Sequence, residues 1–321
     1  MTRIGVLTSG GDSPGMNACI RAVVRRGTSL GVEVWGIKRG FKGLINGEME
    51  KLDNRKVGGI IQKGGTFLQT ARCPEFRDPR MVREGVRRLN EAGIEGLVII
   101  GGDGSMRGAF ALHEMGIPVV GVPASIDNDV WGTDMCIGVD TALNTVLLAI
   151  DRIKDTATSH GRAFLIEVMG RESGYLALMG GLAGGAEAVL IPEKDTPLEE
   201  IARVVEEAYI KGKPHAIIII AEGAKHKTQE VASFLTQDEV GFEVRTIILG
   251  HIQRGGSPTA FDRILASRFG VAAVDALVQG KTGVMVALVG NKVELIPLKE
   301  VISKTKGLEP EMIEMAEVLA Q

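Results

Sequence analysis

Short apolar runs alternate along the chain with longer segments in which apolar residues recur every three or four positions. Six of the runs predict β-strands, at residues 4–7, 97–100, 119–122, 164–168, 216–221 and 246–249. They are continuously apolar, which is typical of parallel strands covered on both faces. The longer segments predict helices with one apolar face, as formed by Leu143, Val146, Leu147, Ile150 and Ile153. The alternation predicts an α/β fold with mostly parallel sheets.

Length and composition narrow the class of protein. The chain has 321 residues, of which 45% are hydrophobic and 24% charged, as in ordinary globular proteins. At about 150 residues per domain, this length predicts roughly two domains. The formal net charge is -3, without the basic excess of nucleic-acid-binding domains, so we expect no nucleic-acid partner.

The cysteines and the apolar stretches bear on location. Cys19, Cys73 and Cys136 are odd in number and widely spaced, which suits a reducing compartment and shows no metal-ligand spacing. The apolar stretches fall short of the ~20 residues that span a bilayer. The first residues lead into a strand and show no signal-peptide pattern. We therefore expect a cytoplasmic protein that does not bind membranes.

Polar residues near glycines follow the predicted strands, each time where a strand ends. The six sets are Thr8–Asp12, Gly101–Ser105, Ser125–Asp129, Met169–Arg171, Glu222 and His251–Arg254. In an open α/β sheet, ligands bind in the crevice beyond the carboxyl ends of the strands. Any single set would also fit an ordinary turn, but six together predict a ligand site.

The first two loops have the composition of phosphate cradles. Ser13 followed by Pro14 predicts the start of a helix, whose unpaired N–H groups attract anions. In the second loop Asp103 stands between two glycines, where its charge would repel phosphates unless a cation lay between them. Mg²⁺ held by one or two carboxylates meets that need.

The third loop places two carboxylates close together. Asp127 and Asp129 are two residues apart, so in an enclosed loop a cation must neutralise one of them or its pKa must rise. One carboxylate would then lie near a metal, and the other could accept a proton from a substrate hydroxyl. A turn rich in Asp and Asn remains an alternative for either residue alone.

Arginines supply the complementary charge. Guanidinium groups suit phosphate oxygens, and six arginines lie in or beside loops: Arg72, Arg77, Arg162, Arg171, Arg245 and Arg254. Arg21 and Arg25 are one helical turn apart and fit either a second anion site or a solvated stripe. The residues themselves thus predict a protein that binds phosphorylated ligands with Mg²⁺, in keeping with a phosphoryl transferase, and leave its acceptor open.

The same loops resemble those of bacterial ATP-dependent 6-phosphofructokinases. The similarity runs from residue 1 to about 300, and its motifs are Ile4–Asp12, Gly101–Ser105, Ile126–Asp129, Met169–Arg171 and Gly250–Pro258. It implies two similar three-layer Rossmann-like domains with mostly parallel sheets, the phosphofructokinase fold. Residues 1–138 plus 255–303 would form a larger ATP-binding domain. Residues 139–254 plus 304–321 would form a smaller domain that binds fructose 6-phosphate.

The resemblance also implies roles for individual residues. ATP would be bound by Gly11, Arg72, Cys73, Gly102, Asp103, Gly104, Ser105 and Gly108. Asp103 and Asp129 would address Mg²⁺. Asp127 would take the proton from the 1-hydroxyl of fructose 6-phosphate, while Ser125 and Arg171 would assist the phosphoryl group. Fructose 6-phosphate would be held by Ser125, Asp127, Met169, Gly170, Arg171, Glu222, His251 and Arg254, with Arg162 and Arg245 from a neighbouring subunit.

The resemblance further implies a glycolytic kinase that forms a homotetramer under allosteric control. ADP, GDP or phosphoenolpyruvate would bind a separate effector site, formed by Arg21, Arg25, Lys154, Glu187, Lys211, Lys213 and His215.

Two alternatives stay open at the level of sequence. A pyrophosphate-dependent phosphofructokinase usually carries Asp and Lys at the positions of Gly104 and Ala124, so these two residues favour ATP. A catalytically silent nucleotide-binding homologue would be expected to lack Asp127 or Arg171, and both are present.

Overall fold

The computed structural model describes residues 1–238 and 240–320 of the chain. The described residues form eleven strands: β1 (Arg3–Ser9), β2 (Glu33–Ile37), β3 (Met49–Leu52), β4 (Gly96–Gly101), β5 (Val119–Pro123), β6 (Arg162–Val168), β7 (Ala188–Leu190), β8 (Ala216–Ala221), β9 (Glu243–Ile248), β10 (Val284–Val289) and β11 (Lys292–Pro297).

The same residues form eleven α-helices and two short 3₁₀ turns. The helices are α1 (Met16–Ser29), α2 (Gly40–Asn46), α3 (Pro79–Glu91), α4 (Asp103–Glu114), α5 (Val139–His160), α6 (Tyr175–Gly184), α7 (Leu198–Ile210), α8 (Thr228–Gln237), α9 (Ala260–Val278), α10 (Leu298–Ser303) and α11 (Pro310–Leu319). The 3₁₀ turns are Pro74–Arg77 and Gly250–Arg254.

The chain divides into two compact units. Unit 1 comprises residues 1–125, 129–141 and 254–306, and unit 2 comprises residues 126–128, 142–253 and the chain from 307 onward. The assignment of ATP and fructose 6-phosphate to separate domains stays a prediction. The predicted domain ranges also include Glu239 and Gln321, which lie outside the described residues.

Unit 1 is built on a seven-stranded sheet in the order β11-β10-β5-β4-β1-β2-β3. The four strands β5, β4, β1 and β2 are parallel neighbours. The outer strand β3 runs antiparallel to β2, and the outer strand β11 runs antiparallel to β10. From β1 the chain builds outward in one direction and then returns to build β4 and β5 in the other. The switch point between β1 and β4 is the place where such sheets bind ligands.

The helices α1 and α9 cover one face of this sheet and pack closely on each other. Phe269 is fully buried with Ile4, Val98 and other strand residues in the main core of unit 1. Gly270 permits the close approach, because a β-carbon there would lie 2.8 Å from the carbonyl oxygen of Cys19. The sparse aromatic content is thus offset by aliphatic side chains and close backbone packing.

Unit 2 contains a four-stranded, wholly parallel sheet in the order β7-β8-β6-β9. Its central strands confirm the predicted apolar runs, since β8 is buried along its whole length. The run at 246–249 departs from the prediction. Its strand is Glu243–Ile248, and it is exposed or half-buried throughout, because β9 forms the edge of the sheet rather than an interior strand. The predicted α/β class with mostly parallel sheets is confirmed.

Two helix predictions had different outcomes. In α5 the predicted apolar face is confirmed, with Val146 and Ile150 fully buried. The predicted helix start at Ser13 is wrong, since α1 begins at Met16. Gly15, the N-cap residue, has a left-handed backbone conformation (φ 107°), so the helix does not extend back to Pro14. The Ser13 hydroxyl instead donates a hydrogen bond to the carbonyl oxygen of Ile137 at 3.0 Å.

Within the described part of the chain, every helix is too short or too polar to cross a membrane.

Candidate active site

The loops after β4 and β5 meet at the carboxyl edge of the sheet in unit 1. The amide of Ala124 donates to the carbonyl oxygen of Gly101 at 2.9 Å, which carries the strand pairing into the loops. A β-carbon on Gly102 would lie 3.5 Å from that of Ser125, so these two predicted residues are neighbours. The hydroxyl of Ser125 in turn donates to Asp129 Oδ1 at 3.3 Å.

Asp103 opens α4 directly after Gly102, the N-cap residue. The first turn of α4 thus contains Gly104 and Ser105, two of the predicted ATP residues, and the amides at a helix N-terminus attract anions. Among the residues that the structure describes, no heavy atom outside the local chain lies within 4 Å of the place where a β-carbon on Gly104 would be. Arg107, one turn further along, pairs with the Asp103 carboxylate at 2.9 Å.

Gly11 lies beneath a guanidinium group of the same unit. A methyl group on Gly11 would collide with Nη1 of Arg254, and the same nitrogen donates to the carbonyl oxygen of Asp12 at 3.2 Å. A predicted ATP residue and a predicted sugar-phosphate residue are therefore in direct contact. The absence of a side chain at position 11 is what allows the arginine to lie there.

Three further predicted ATP residues of unit 1 are Arg72 and Cys73, which precede a 3₁₀ turn, and Gly108 on α4. Arg72 is exposed and Cys73 half-buried, just before the turn at Pro74–Arg77. Burial is the main cause that raises the pKa of the Cys73 thiol above its ordinary value. Gly108 lies against the ring of Phe41, where a side chain would collide with it, so this glycine also serves helix packing.

The predicted metal ligands offer a small set of oxygens. Among residues 1–238 and 240–320, no cluster of three or more His, Cys, Asp or Glu side chains could hold a metal alone. Asp103 is partly exposed and Asp129 half-buried. One or two carboxylates completed by water and substrate phosphates are the usual protein site for Mg²⁺. The donor set therefore fits an ion that arrives with a nucleotide.

In unit 2, Asp127 and Arg171 form an ion pair. Arg171 Nε lies 3.6 Å from Asp127 Oδ2, and the guanidinium side chain is 55% exposed while the carboxylate side chain is 3% exposed. Arg171 has a left-handed backbone conformation with φ of 53°, which is unusual for a residue with a side chain. The turn after β6 is thus held in a conformation that brings this guanidinium to the buried carboxylate.

Glu222 holds that turn in place from the neighbouring strand. Its Oε1 accepts hydrogen bonds from the backbone amides of Gly170 at 3.2 Å and Arg171 at 2.8 Å. A methyl group on Gly223 would collide with the carbonyl oxygen of Arg171, so the turns after β6 and β8 are in close contact. In this unit the predicted residues Gly170, Arg171 and Glu222 are therefore brought together.

Gln253 joins the turn after β9 to the end of β6. Its fully buried side chain accepts from the amide of Met169 at 3.2 Å and donates to the carbonyl oxygen of Gly250 at 2.9 Å. His251, in the same 3₁₀ turn, is exposed. Met169 takes part in this connection through its backbone amide, and its side chain is buried.

Arg162 and Arg245, predicted to serve a neighbouring subunit, share one carboxylate. Arg162 Nε lies 2.6 Å from Glu243 Oε2, and Arg245 pairs with the other oxygen of Glu243. The two arginines lie on the paired strands β6 and β9, of which β9 forms the edge of the sheet. Both cations are thus near the surface and held by the same partner.

The predicted effector residues of unit 1 lie on α1. Arg21 and Arg25 occur one turn apart, and burial followed by repulsion from Arg25 lowers the pKa of Arg21 below its ordinary value. Neither has a carboxylate within ion-pair distance in the part of the chain that the structure describes. Two uncompensated neighbouring cations suit an anionic ligand.

The predicted effector residues of unit 2 surround the start of β7. Glu187 is buried and accepts from the amide of Ile217 at 2.7 Å, while Lys213 Nζ lies 3.4 Å from its other oxygen. Burial lowers the pKa of His215, and Lys154 Nζ donates to the carbonyl oxygen of Gly185 at 3.2 Å. Glu187, Lys211 and Lys213 also line a cavity of about 410 Å³ whose walls include residues of α6, α7 and α11.

Sequence reasoning missed three residues that contact predicted ones. Arg107 was detectable from its spacing of four residues from Asp103 on a helix. Gln253 stood within a recognised motif, but nothing in the sequence indicated its burial. Glu243 pairs with an arginine 81 residues away, which only the strand order reveals.

Comparison with known proteins agrees with this arrangement. The sequence model of the family described as "Phosphofructokinase" matches residues 3–277. A protein of Thermotoga neapolitana named ATP-dependent 6-phosphofructokinase is 53% identical over 321 residues, covering all of both chains. A protein of Thermus thermophilus named ATP-dependent 6-phosphofructokinase 1 is 54% identical, again over the whole of both chains.

A solved structure supports the same relationship. Phosphofructokinase of Pichia pastoris in the T-state superposes with a TM-score of 0.91 at 36% identity, and the match covers 94% of this chain and 35% of the yeast chain. The glycine loops of unit 1 and the Asp127–Arg171 pair of unit 2 thus occur in a sequence that matches one family almost from end to end. The chain belongs to the phosphofructokinase family.

Proposed function

We propose that this protein is an ATP-dependent 6-phosphofructokinase. It transfers the γ-phosphoryl group of ATP to the 1-hydroxyl of fructose 6-phosphate and yields fructose 1,6-bisphosphate and ADP, a step of glycolysis. The observation that carries the proposal is the buried carboxylate of Asp127 with a guanidinium 3.6 Å away, on a chain with full-length relatives that bear this name.

Asp127 acts as the base. A carboxylate removed from water and flanked by a positive charge is suited to accept the proton of a hydroxyl in contact with it. Arg171 then faces the negative charge that spreads over the transferring phosphoryl group. Ser125 donates a hydrogen bond at the same loop and helps to position that group.

The glycine loops of unit 1 bind the nucleotide. Gly11, Gly102 and Gly104 let the phosphates approach the backbone, and the amides at the start of α4 donate to phosphate oxygens. Ser105, Gly108, Arg72 and Cys73 complete the ATP site. Mg²⁺, addressed by Asp103 and Asp129, supplies positive charge to the phosphate tail when it is bound.

Fructose 6-phosphate is bound by the segments that follow β6, β8 and β9. Glu222 and the backbone at Met169–Arg171 fix the sugar, while His251 and Arg254 hold its phosphate. Arg162 and Arg245 complete the site of a neighbouring subunit, and the protein acts as a homotetramer. The carboxylate that both arginines share, and the position of Arg245 on the edge strand β9, support this assignment.

Regulation and location follow the same assignment. Arg21 and Arg25, with Lys154, Glu187, Lys211, Lys213 and His215, form an effector site for ADP, GDP or phosphoenolpyruvate. The uncompensated charges of α1 support an anionic effector. The three free cysteines suit the reducing cytoplasm, where glycolysis takes place.

The test is a coupled assay with fructose 6-phosphate and Mg²⁺, in which ATP and pyrophosphate are compared as donors. We expect turnover with ATP and little with pyrophosphate. Turnover with pyrophosphate alone would assign the chain to the pyrophosphate-dependent enzymes. Binding of ATP by calorimetry with no turnover from either donor would instead indicate a silent homologue.

A further inference from the structure

An arginine occupies the carboxylate at the start of α4. Arg107 Nε lies 2.9 Å from Asp103 Oδ2, and its Nη2 lies 3.4 Å from Oδ1, so the guanidinium spans both oxygens. The arginine side chain is 56% exposed and the aspartate side chain 36% exposed. The pair is therefore open to any ligand that reaches the loop at residues 102–105.

The position of this pair gives it a role that the activity does not by itself require. The amides at the start of α4 attract anions, whereas the Asp103 carboxylate repels them. Arg107 cancels that repulsion while no metal is present. A divalent cation that arrives with a nucleotide would bind the same carboxylate, so the guanidinium and the cation would compete for it.

We propose that Arg107 is a nucleotide-positioning residue that alternates between two partners. In the nucleotide-free chain it neutralises Asp103. When a divalent cation takes that carboxylate, the guanidinium is released one helical turn from the phosphate cradle and donates to the polyphosphate of the nucleotide. The planar fork of arginine suits both partners, since carboxylate and phosphate each offer two oxygens. This inference rests on the proposed function.

The chain offers a matched control for this idea. Arg87 on α3 is also 56% exposed, and it pairs with Glu84 and Glu91 on its own helix. It lies in the same unit, on a helix that contributes none of the predicted ATP residues. Replacing Arg87 with Gln therefore removes a comparable surface ion pair without touching the proposed site.

The first measurement is calorimetric binding of MgADP to the full-length protein, together with steady-state kinetics. Arg107→Gln should weaken MgADP binding and raise the KM for ATP by roughly 5- to 20-fold, with a much smaller change in kcat. Arg107→Lys keeps the charge but loses the fork, so it should fall between Gln and wild type. Arg87→Gln should leave both quantities near the wild-type values.

The second measurement uses Mn²⁺ as a paramagnetic probe of the nucleotide-free protein. Removing the competing guanidinium should tighten Mn²⁺ binding in Arg107→Gln by roughly 3- to 10-fold. That gain should vanish when Asp103→Asn is combined with Arg107→Gln, because the contested carboxylate is then absent. If Arg107 had only a structural role, its replacement would change neither the Mn²⁺ affinity of the single variant nor that of the double variant in this way.

The proposal is overturned if Arg107→Gln binds MgADP as wild type does, or if Arg87→Gln weakens it equally. It is also overturned if Mn²⁺ affinity stays unchanged in Arg107→Gln. Both binding measurements need no turnover, so they separate this inference from the proposed activity. An inactive wild-type protein that still shows both effects would retain Arg107's role and reject the kinase.

Discussion

Arg171 places its guanidinium Nε 3.6 Å from the carboxylate of Asp127, although one side chain is 55% exposed and the other 3%. The buried member of the pair is shielded from water, and the exposed member is free to turn toward a ligand. An opposite charge at this distance favours the ionised form of a carboxyl group. The relationship therefore separates a proton acceptor from a charge stabiliser within one pair.

Replacing Asp127 with Ser should remove the base while leaving a small polar side chain in its place. We expect both substrates to bind nearly as in wild type and kcat to fall by about 10²- to 10⁴-fold. Steady-state kinetics and calorimetric titration with each substrate measure the two effects. Asp151→Asn, at an exposed position on α5, serves as the control. Near-normal turnover of Asp127→Ser would remove this residue from the role of base.

Replacing Glu222 with Ala should loosen the turn that carries Arg171. The carboxylate accepts two backbone amides there, and Arg171 has a left-handed conformation that needs such support. We expect the KM for fructose 6-phosphate to rise by roughly tenfold and the free energy of unfolding to fall by about 1–2 kcal/mol.

Glu222→Gln provides the comparison, because its amide oxygen can still accept from the Arg171 amide. It should recover part of the stability measured by denaturant unfolding. If Ala and Gln at position 222 lose stability equally, the charge rather than the acceptor atom supports the turn.

What the sequence could predict depended on whether the signal was local. The strand at 216–221 is defined by consecutive residues, and its prediction is confirmed. The glycine-rich segment at 101–105 also follows its strand as predicted, but Gly101 ends β4 and the residues from Asp103 onward belong to α4. The predicted start of α1 is wrong, because the left-handed conformation of Gly15 keeps the helix from extending back to Pro14. Ser13 does not cap the helix and instead donates a hydrogen bond to Ile137, 124 residues away. The local sequence around a helix start does not indicate a hydrogen-bond partner that is distant along the chain.

The candidate site divides in the same way. The identity of Asp127 and Arg171 could be expected from motifs, but their mutual distance could not. Strand order, which the sequence does not state, decides that Glu243 lies between Arg162 and Arg245. Residues that position others were therefore harder to predict than residues that carry recognisable chemistry.

Introducing Asp at position 104 should separate stability from nucleotide binding. In the described part of the chain, no heavy atom beyond the local residues lies within 4 Å of a β-carbon on Gly104, and an acidic residue in the first turn of a helix is favourable. The melting temperature should therefore stay the same or rise slightly. The added carboxylate would face the phosphates, so kcat/KM for ATP should fall by roughly 100-fold or more.

Gly104→Ala is the matched control, since it adds a side chain without a charge. Thermal unfolding and ATP kinetics of both variants decide the question. An equal loss of ATP activity in Gly104→Ala would mean that space, and not charge, limits the nucleotide at this turn.

The stability of unit 1 should depend on pH through the buried carboxyl group of Asp262. This side chain accepts from the amides of Gly138 and Thr141, each at 2.8 Å, and from the Thr141 hydroxyl at 2.6 Å. Burial nevertheless raises its pKa above the ordinary 3.8, against the effect of these hydrogen bonds. A raised pKa means that the folded state binds the proton more tightly than the unfolded chain does.

The stabilising contribution of Asp262 is therefore complete below pH 3.8 and is lost as the pH rises through the raised value. Position 262 no longer titrates in Asp262→Asn. When denaturant unfolding is measured at a series of pH values, the loss of stability relative to wild type should be largest at acid pH and should shrink toward neutral pH. For Glu84→Gln we expect the opposite dependence of the stability loss on pH. Hydrogen bonding to Arg87 lowers the pKa of Glu84 below 4.5, so that variant should lose more at neutral pH than in acid. Parallel pH profiles for the two variants would contradict the raised pKa of Asp262.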